Sequence, residues 1–307
     1  MSKLDNTHAS PSENSEPTTH TGHEPLSGSE RLRKAWTVVE KSRHPQRPHG
    51  VDYLHKIFSE FEELKGDRAF GEDSALIAGV GVLRAVNPKQ EPLKVFFLVH
   101  EKGRNTKQKI ERNFGMARPE GYRKAVRIMN LAERFNKPIL TLIDTPGAFP
   151  GIGAEERGQS EAIASSILRL LEVKVPTVGV VIGEGGSGGA LAIGVTDKLL
   201  MLENSIYSVI SPESCAAILW GSAAESKQAA AALKMSAKET FDLGICDEVV
   251  PEKDDGAHLD HEAAAQILLE KVDGHFRKLM HTDPATRMEQ RHNKFRNIDA
   301  RHLKQGS

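Results

Sequence analysis

The chain has 307 residues, with 41 basic against 42 acidic side chains, a formal net charge of −1 and a pI near 6.9. That balance lacks the basic footprint of a dedicated nucleic-acid binder, and no apolar run approaches the roughly 18 residues of a membrane-spanning helix. Only two cysteines occur, Cys215 and Cys246, with no CxxC and no histidine at zinc-finger spacing, so a disulfide scaffold and a zinc ribbon within this chain are excluded and no metal site is expected. The N-terminus lacks the apolar core of a secretory signal, and the expectation is a soluble, cytoplasmic protein.

Residues 1–28 carry Met1, Leu4, Ala9 and Leu26 as their only apolar side chains and read as a disordered polar tail, because so little surface cannot offset the entropy of ordering. Its histidines, His8, His20 and His23, read as solvated tail residues rather than metal ligands. A helical segment over 29–65 follows. Leu32, Ala35, Trp36 and Val39 recur at helical spacing across Glu30 to Glu40. The run Arg43-His-Pro-Gln-Arg-Pro-His-Gly50 reads as a rigid loop, and a second helix is expected from Asp52 to Leu64, with Tyr53, Leu54, Ile57, Phe58, Phe61 and Leu64 on its apolar face.

From 66 to 281 the pattern becomes α/β. Strands are expected at Leu76–Leu83, Val95–Val99, Ile139–Ile143, Val175–Ile182, Lys198–Leu202 and Ile206–Val209, with Val249 and Val250 closing the sheet. Helices are expected over Gly121–Asn136, which is apolar on two sides and so sandwiched, over Glu155–Leu171, Ser187–Ile193, most of Pro212–Leu243, and Glu262–Met280. Strand and helix alternating in this way imply βαβ crossovers and a parallel sheet. Residues 282–307 read as a basic tail, helical or frayed on the surface.

The most informative stretch is Val180-Val-Ile-Gly-Glu-Gly-Gly-Ser-Gly-Gly-Ala-Leu-Ala-Ile-Gly194, which leaves a strand and enters a helix. A tight turn alone does not need so many glycines. One reading is a dinucleotide loop, since Gly183, Gly185 and Gly188 fit G-x-G-x-x-G and Glu203 lies where a ribose acid could sit. A second is a serine hydrolase, since Gly185, Ser187 and Gly189 fit G-x-S-x-G, with Asp247 and His258 or His261 as triad partners. A third is an oxyanion hole made by the backbone N–H groups of Gly188 and Gly189, which require only that no side chain block the approach. On this reading valine at either glycine abolishes chemistry and leaves the fold largely intact. A second loop, Asp144-Thr-Pro-Gly-Ala-Phe-Pro-Gly151, also leaves a strand and enters a helix, so the two can flank one crevice. Neither loop holds a His or Cys, which favours positioning and electrostatic stabilisation over nucleophile chemistry.

At these loops the sequence resembles the α-subunit family of the bacterial acetyl-CoA carboxylase carboxyltransferases. The resemblance is carried by Arg43-His-Pro-Gln-Arg-Pro48, Phe61-Glu-Glu-Leu-Lys-Gly-Asp-Arg68, Lys102-Gly-Arg104, Asn113-Phe-Gly-Met116, Pro119-Glu-Gly-Tyr-Arg-Lys-Ala125, both glycine loops, Gly153–Ala162 and Tyr207-Ser-Val-Ile-Ser-Pro-Glu213. It implies a crotonase-like fold of the ClpP/crotonase superfamily, built of stacked ββα units. It implies a β subunit, usually in an α2β2 assembly, that carries a zinc ribbon and a matching oxyanion hole. It implies a biotin carboxyl carrier protein bearing carboxybiotin, loaded by an ATP-dependent biotin carboxylase, and transfer of the carboxyl group to acetyl-CoA to give malonyl-CoA, the first committed step of fatty acid synthesis. Carried onto this chain, the hole for the biotin ureido oxygen falls on Gly188 and Gly189, with Ala190 beside it. Gly147, Ala148, Phe149, Gly151, Gly185 and Gly186 line the biotin pocket. The basic run Lys102, Arg104, Lys107, Lys109 and Arg112 reads equally as a solvated helix face or as a contact for CoA phosphates or an acidic partner. Two other classes stay open. One is a stand-alone crotonase-type hydratase or isomerase using Glu155, Glu156 or Glu184 as acid, and the other is a catalytically silent scaffold subunit.

Overall fold

The computed structural model describes residues 27–298. Most of the polar N-terminal tail, with His8, His20 and His23, and the last nine residues lie outside the described residues. Helix α1 (Gly28–Ser42) opens on a capping box in which Ser27 and Glu30 each satisfy the other's backbone N–H. Helix α2 (Gly50–Ile57) runs directly into strand β1 (Phe58–Glu63), which pairs antiparallel with β2 (Leu76–Leu83), itself antiparallel to β3 (Lys94–His100). Then come the short α3 (Thr106–Glu111), α4 (Pro119–Arg134), β4 (Ile139–Thr145), α5 (Ile152–Glu156), α6 (Gln159–Glu172), β5 (Thr177–Gly186) and α7 (Ser187–Gly194). The chain continues through β6 (Lys198–Leu202), β7 (Ile206–Ser208), α8 (Pro212–Trp220), α9 (Ser226–Leu233), α10 (Ala237–Asp242), β8 (Glu248–Val250), α11 (His261–Met280) and α12 (Pro284–Arg296). The eight-stranded sheet has the order β1-β2-β3-β4-β5-β6-β8, with β7 pairing the far end of β5; from β3 onward neighbouring strands are parallel.

The sheet buries both faces. On one, Tyr122, Ala125 and Met129 of α4, Ala162 and Leu170 of α6 and Ala190 and Ile193 of α7 pack on Leu98, Ile143 and Val181. On the other, Tyr53, Leu54 and Ile57 of α2 and Leu268, Val272 and Phe276 of α11 pack on Phe97, Leu142 and Val180. The long apolar runs in the central strands β3, β4 and β5 follow from that double cover.

Three expectations change. The helix expected over Asp52–Leu64 ends at Ile57, and Phe58–Glu63 is strand. A bulge at Ser59 lets Phe58 and Phe61, three residues apart, share one face against Phe97, so the strand counterfeits helical spacing. The helix expected over Glu155–Leu171 is two, because Gly158 takes a left-handed φ of 79° and starts α6 afresh. The basic C-terminal segment is not a surface tail over its described length. Helix α12 buries Arg291, whose Nε donates to Asp197 at 2.7 Å and whose Nη1 donates to the Leu170 and Val173 carbonyls at 2.6 and 2.9 Å. These are carbonyls released at the end of α6, where a cation is favourable. Composition alone hides this, because Arg287 and Arg291 look like solvated charge.

Candidate active site

Strands β4 and β5 lie side by side and parallel, so the loops at their carboxyl ends meet at one edge of the sheet. Strand β5 runs further than expected, through Glu184, Gly185 and Gly186, because those residues leave β6 and pair with Ile206–Ser208 of β7. The loops pack backbone on backbone. A Cβ at Gly186 would fall 2.1 Å from the Pro146 carbonyl oxygen, and one at Gly189 would fall 2.6 Å from the Gly147 carbonyl carbon and 2.8 Å from the Ala148 nitrogen. At Gly185 a Cβ would strike the Tyr207 ring at 2.4 Å. Gly188 differs: its nearest neighbour, Ile163, stands at 3.6 Å, an ordinary contact distance. The expectation that valine at either glycine leaves the fold intact therefore holds sterically for Gly188 only. At Gly189 a side chain drives the two loops apart.

Helix α7 begins at Ser187, so the N–H groups of Gly188 and Gly189 belong to its first turn and have no partner four residues back. Gly189 packs against the backbone of Gly147 and Ala148, in a loop that is itself pinned. The Thr145 hydroxyl donates to the Gly147 carbonyl at 2.7 Å and accepts the Gly147 N–H at 3.1 Å. Phe149 N–H donates to the Ala117 carbonyl at 3.0 Å, and the Gln159 amide spans the Ala117 and Phe149 carbonyls at 3.0 Å each. Arg118 stacks over the Phe149 ring at 4.7 Å. Ala148 and Phe149 remain half-buried, Gly151 is the N-cap of α5, and Ala190 is fully buried beneath the turn. The structure thus gathers Gly147, Ala148, Phe149, Gly185, Gly186, Gly188, Gly189 and Ala190 at one edge.

Sequence reasoning missed a charge network just behind this edge. Lys102 Nζ lies 2.6 Å from Asp144 and 3.5 Å from Glu184; Arg43 bonds Glu184 at 2.5 Å and Glu213 at 2.7 Å. Burial alone would push the Glu184 carboxyl up, but Lys102 and Arg43 outweigh it and hold the group below the usual carboxylate range. Burial likewise opposes the Lys102 ammonium, and Asp144 and Glu184 overcome it to raise its pKa. A cavity of about 320 Å3 opens beside the network, lined by Arg43, His44, Lys102, Asp144, Pro146 and Glu184 among others. Its cations are largely paired within the chain, Arg104 with Asp52 and Arg47 with Glu252. Members scattered over the sequence carry no local spacing signal. The only hint was that Arg43, Lys102 and Glu184 sit inside segments that resemble the family.

The basic run divides. Lys102 is in the buried network, Arg104 pairs with Asp52, Arg112 donates to the Ser74 carbonyl at 2.9 Å, and only Lys107 and Lys109 ride on α3. The triad does not assemble either. Ser187 does take a left-handed φ of 52°, as a nucleophile elbow would. Asp247, however, sits at the amino ends of the strands, bonded to the Leu199 N–H at 2.8 Å and to Lys294 at 2.8 Å. His258 stacks on His44, and His261 bonds the Gln46 carbonyl at 2.7 Å. Glu203 is exposed and accepts the Glu252 N–H at 3.1 Å. Of the three candidate acids, Glu155 and Glu156 are exposed and Glu184 is held ionised. Among the described residues no group of three His, Cys, Asp or Glu could hold a metal, and no helix is long and apolar enough to cross a membrane.

This sheet, flanked by paired loops at its carboxyl edge, is the crotonase-like fold. It is shared with transcarboxylase 12S (TM-score 0.56, 18% identity, 80% of this chain and 44% of that one). A Pseudomonas malonate decarboxylase hetero-tetramer in complex with coenzyme A has it too (TM-score 0.61, 15% identity, 83% of this chain and 98% of that one). The family model described as acetyl co-enzyme A carboxylase carboxyltransferase-like matches residues 29–299. Relatives named acetyl-coenzyme A carboxylase carboxyl transferase subunit alpha include one from Geobacter sulfurreducens, 54% identical over 86% of this chain and 80% of its own, and one from Methylococcus capsulatus, 57% identical over 76% and 71%. The chain belongs to the acetyl-CoA carboxylase carboxyltransferase family, on its α-subunit side.

Proposed function

We propose that this chain is the α subunit of a carboxyltransferase that moves a carboxyl group from carboxybiotin to acetyl-CoA. The observation that carries the reading is the first turn of α7, at Gly188 and Gly189, where Gly189 packs on a loop pinned at Gly147 and Gly188 keeps room beside it. Such a site stabilises charge and does little else. When the N–CO2 bond of carboxybiotin breaks, its electron pair stays on the ureido group and charge gathers on the ureido oxygen. The two N–H groups stabilise that oxygen, each donor contributing about 3–4 kcal/mol on the usual scale. Biotin nitrogen then takes a proton from the acetyl-CoA methyl, and the resulting enolate captures the CO2 to give malonyl-CoA. Gly147, Ala148, Phe149 and Gly151, with Gly185, Gly186 and Ala190, shape the biotin pocket. The enolate needs a second hole, which a β subunit supplies, and with it any zinc. Carboxybiotin arrives on a carrier protein loaded by an ATP-using biotin carboxylase, and the complex works in the cytoplasm. A self-sufficient hydratase is disfavoured because Glu184, the only candidate acid among the three that is buried, is tied to two cations. Malonyl-CoA formation from carboxybiotin and acetyl-CoA, assayed with and without an added β subunit, tests the reading.

A further inference from the structure

Between Ile143↔Val181 and Thr145↔Gly185 the β4–β5 register slips, and β5 carries extra residues that β4 does not match. A bulge in a parallel pair leaves backbone groups without ladder partners, and an orphaned buried group is costly. Here side chains serve two of them. Asp144 Oδ1 accepts the Glu184 N–H at 2.9 Å, and Arg47 Nε donates to the Ile182 carbonyl at 2.7 Å. Gly183 has no room for a Cβ because the Asp144 carboxylate would stand 2.6 Å from it. Asp144 alternates with Ile143 along β4 and so faces the α2 and α11 side of the sheet, away from α7. Beyond the bulge β5 changes partner, from β6 up to Val181 to β7 from Glu184. Three residues after that switch, at Ser187, α7 begins. The direction in which α7 leaves the sheet is therefore set at the residue Asp144 holds.

Resting on the proposed oxyanion hole, we infer that Asp144 is a positioning residue for it: its carboxylate straps the Glu184 N–H and fixes the bulge that aims Gly188 and Gly189. Lys102, 2.6 Å away, keeps that carboxylate compensated in a buried place. Asp144 itself touches no reacting atom. It acts through the backbone.

The test compares two double variants of equal charge in the reconstituted complex. Lys102→Met with Asp144→Asn removes both charges and leaves an amide oxygen to accept the Glu184 N–H. Lys102→Met with Asp144→Ala removes the charges and the acceptor together. Replacing both members of a buried pair by uncharged groups need not lower stability, so a melting temperature for each shows that the fold stands. The asparagine variant is expected to keep kcat within about tenfold of wild type, and the alanine variant to lose about 100-fold in kcat, the scale of a small misplacement of reacting groups. KM for acetyl-CoA should move little in either. Equal kcat in the two variants, or a loss that only tracks melting temperature, overturns the inference. Amide hydrogen exchange on the uncomplexed chain supplies a reading that needs no turnover. Exchange across Glu184–Ala190 should quicken at least about tenfold in the alanine variant relative to the asparagine one, with α4 and α11 unchanged. Unchanged exchange there overturns the inference even if the wild-type complex makes no malonyl-CoA, an outcome that would instead defeat the proposed function.

Discussion

The two ends of the parallel strands use ion pairs for different purposes. At the amino ends, Asp197 accepts from Arg291 at 2.7 Å and from the Thr177 N–H at 2.8 Å, while Asp247 joins Lys294 at 2.8 Å; together they fasten α12 to the sheet. At the carboxyl ends, Lys102, Asp144, Glu184 and Arg43 stand one layer behind a surface made of backbone. One cluster pins an element and the other supports a shape. Damage at the amino end should appear as lost stability, and damage at the carboxyl end as lost turnover.

The sharpest way to break that division lies in the glycine pair. Gly188→Val has room for its Cβ and should fold, yet it closes the approach to the N–H groups; turnover in the reconstituted complex should fall by at least about 100-fold with little change in melting temperature. Gly189→Val should lose both, since its Cβ meets the Gly147 backbone. Near-normal turnover in a well-folded Gly188→Val complex would remove Gly188 from the site.

At the opposite end, Arg291→Met leaves Asp197 buried without its closest cation. Chemical denaturation should show a loss of about 3–5 kcal/mol, the usual cost of breaking a buried pair from one side. Specific activity of the folded fraction should be unchanged. A variant as stable as wild type would show that α12 docks by other means.

A pH effect arises at the carboxyl end of β3. His100 is fully buried with neither ring nitrogen hydrogen-bonded among the described residues, and burial, helped by the nearby Lys102, lowers its pKa to about 3. A folded pKa below the unfolded value means the unfolded chain binds the extra proton. Stability should therefore fall as pH drops from about 6.5 towards 3, by up to about 1.4 kcal/mol per pH unit from this group. His100→Leu should flatten that slope, measured by urea titration at several pH values. An unaltered slope would place the acid sensitivity elsewhere. The smallest expected effect is at Ser187. Ser187→Ala should keep turnover within about twofold, and serine-directed phosphonates should not label the chain, because no histidine among the described residues is hydrogen-bonded to it.

The sequence revealed the carboxyl end far better than the amino end. The glycine loops announce themselves because a run such as Gly185-Gly-Ser-Gly-Gly189 is tolerated only where backbone must come close to backbone or to a ligand. The apolar runs of β3, β4 and β5 likewise mark buried parallel strands. What stayed hidden was long-range. Arg291 reads as surface charge until α6 is seen to end against it, and Asp144 reads as a loop residue until the β5 bulge places the Glu184 N–H on it. Strand β1 was concealed by its own bulge, which turned a period of two into an interval of three. Local pattern reports what a residue is next to in the chain. It does not report which orphaned backbone group, far away, it will serve.

The measurement that bears most directly on the central claim is reconstitution. Malonyl-CoA formation from carboxybiotin and acetyl-CoA is followed with the purified chain alone and then with a β subunit added, wild type beside Gly188→Val. A glycine hole shared between two subunits predicts no turnover by the isolated chain, robust turnover by the wild-type pair, and its loss in the variant pair at unchanged assembly. Robust turnover by the isolated chain, or a variant pair as active as wild type, would contradict it.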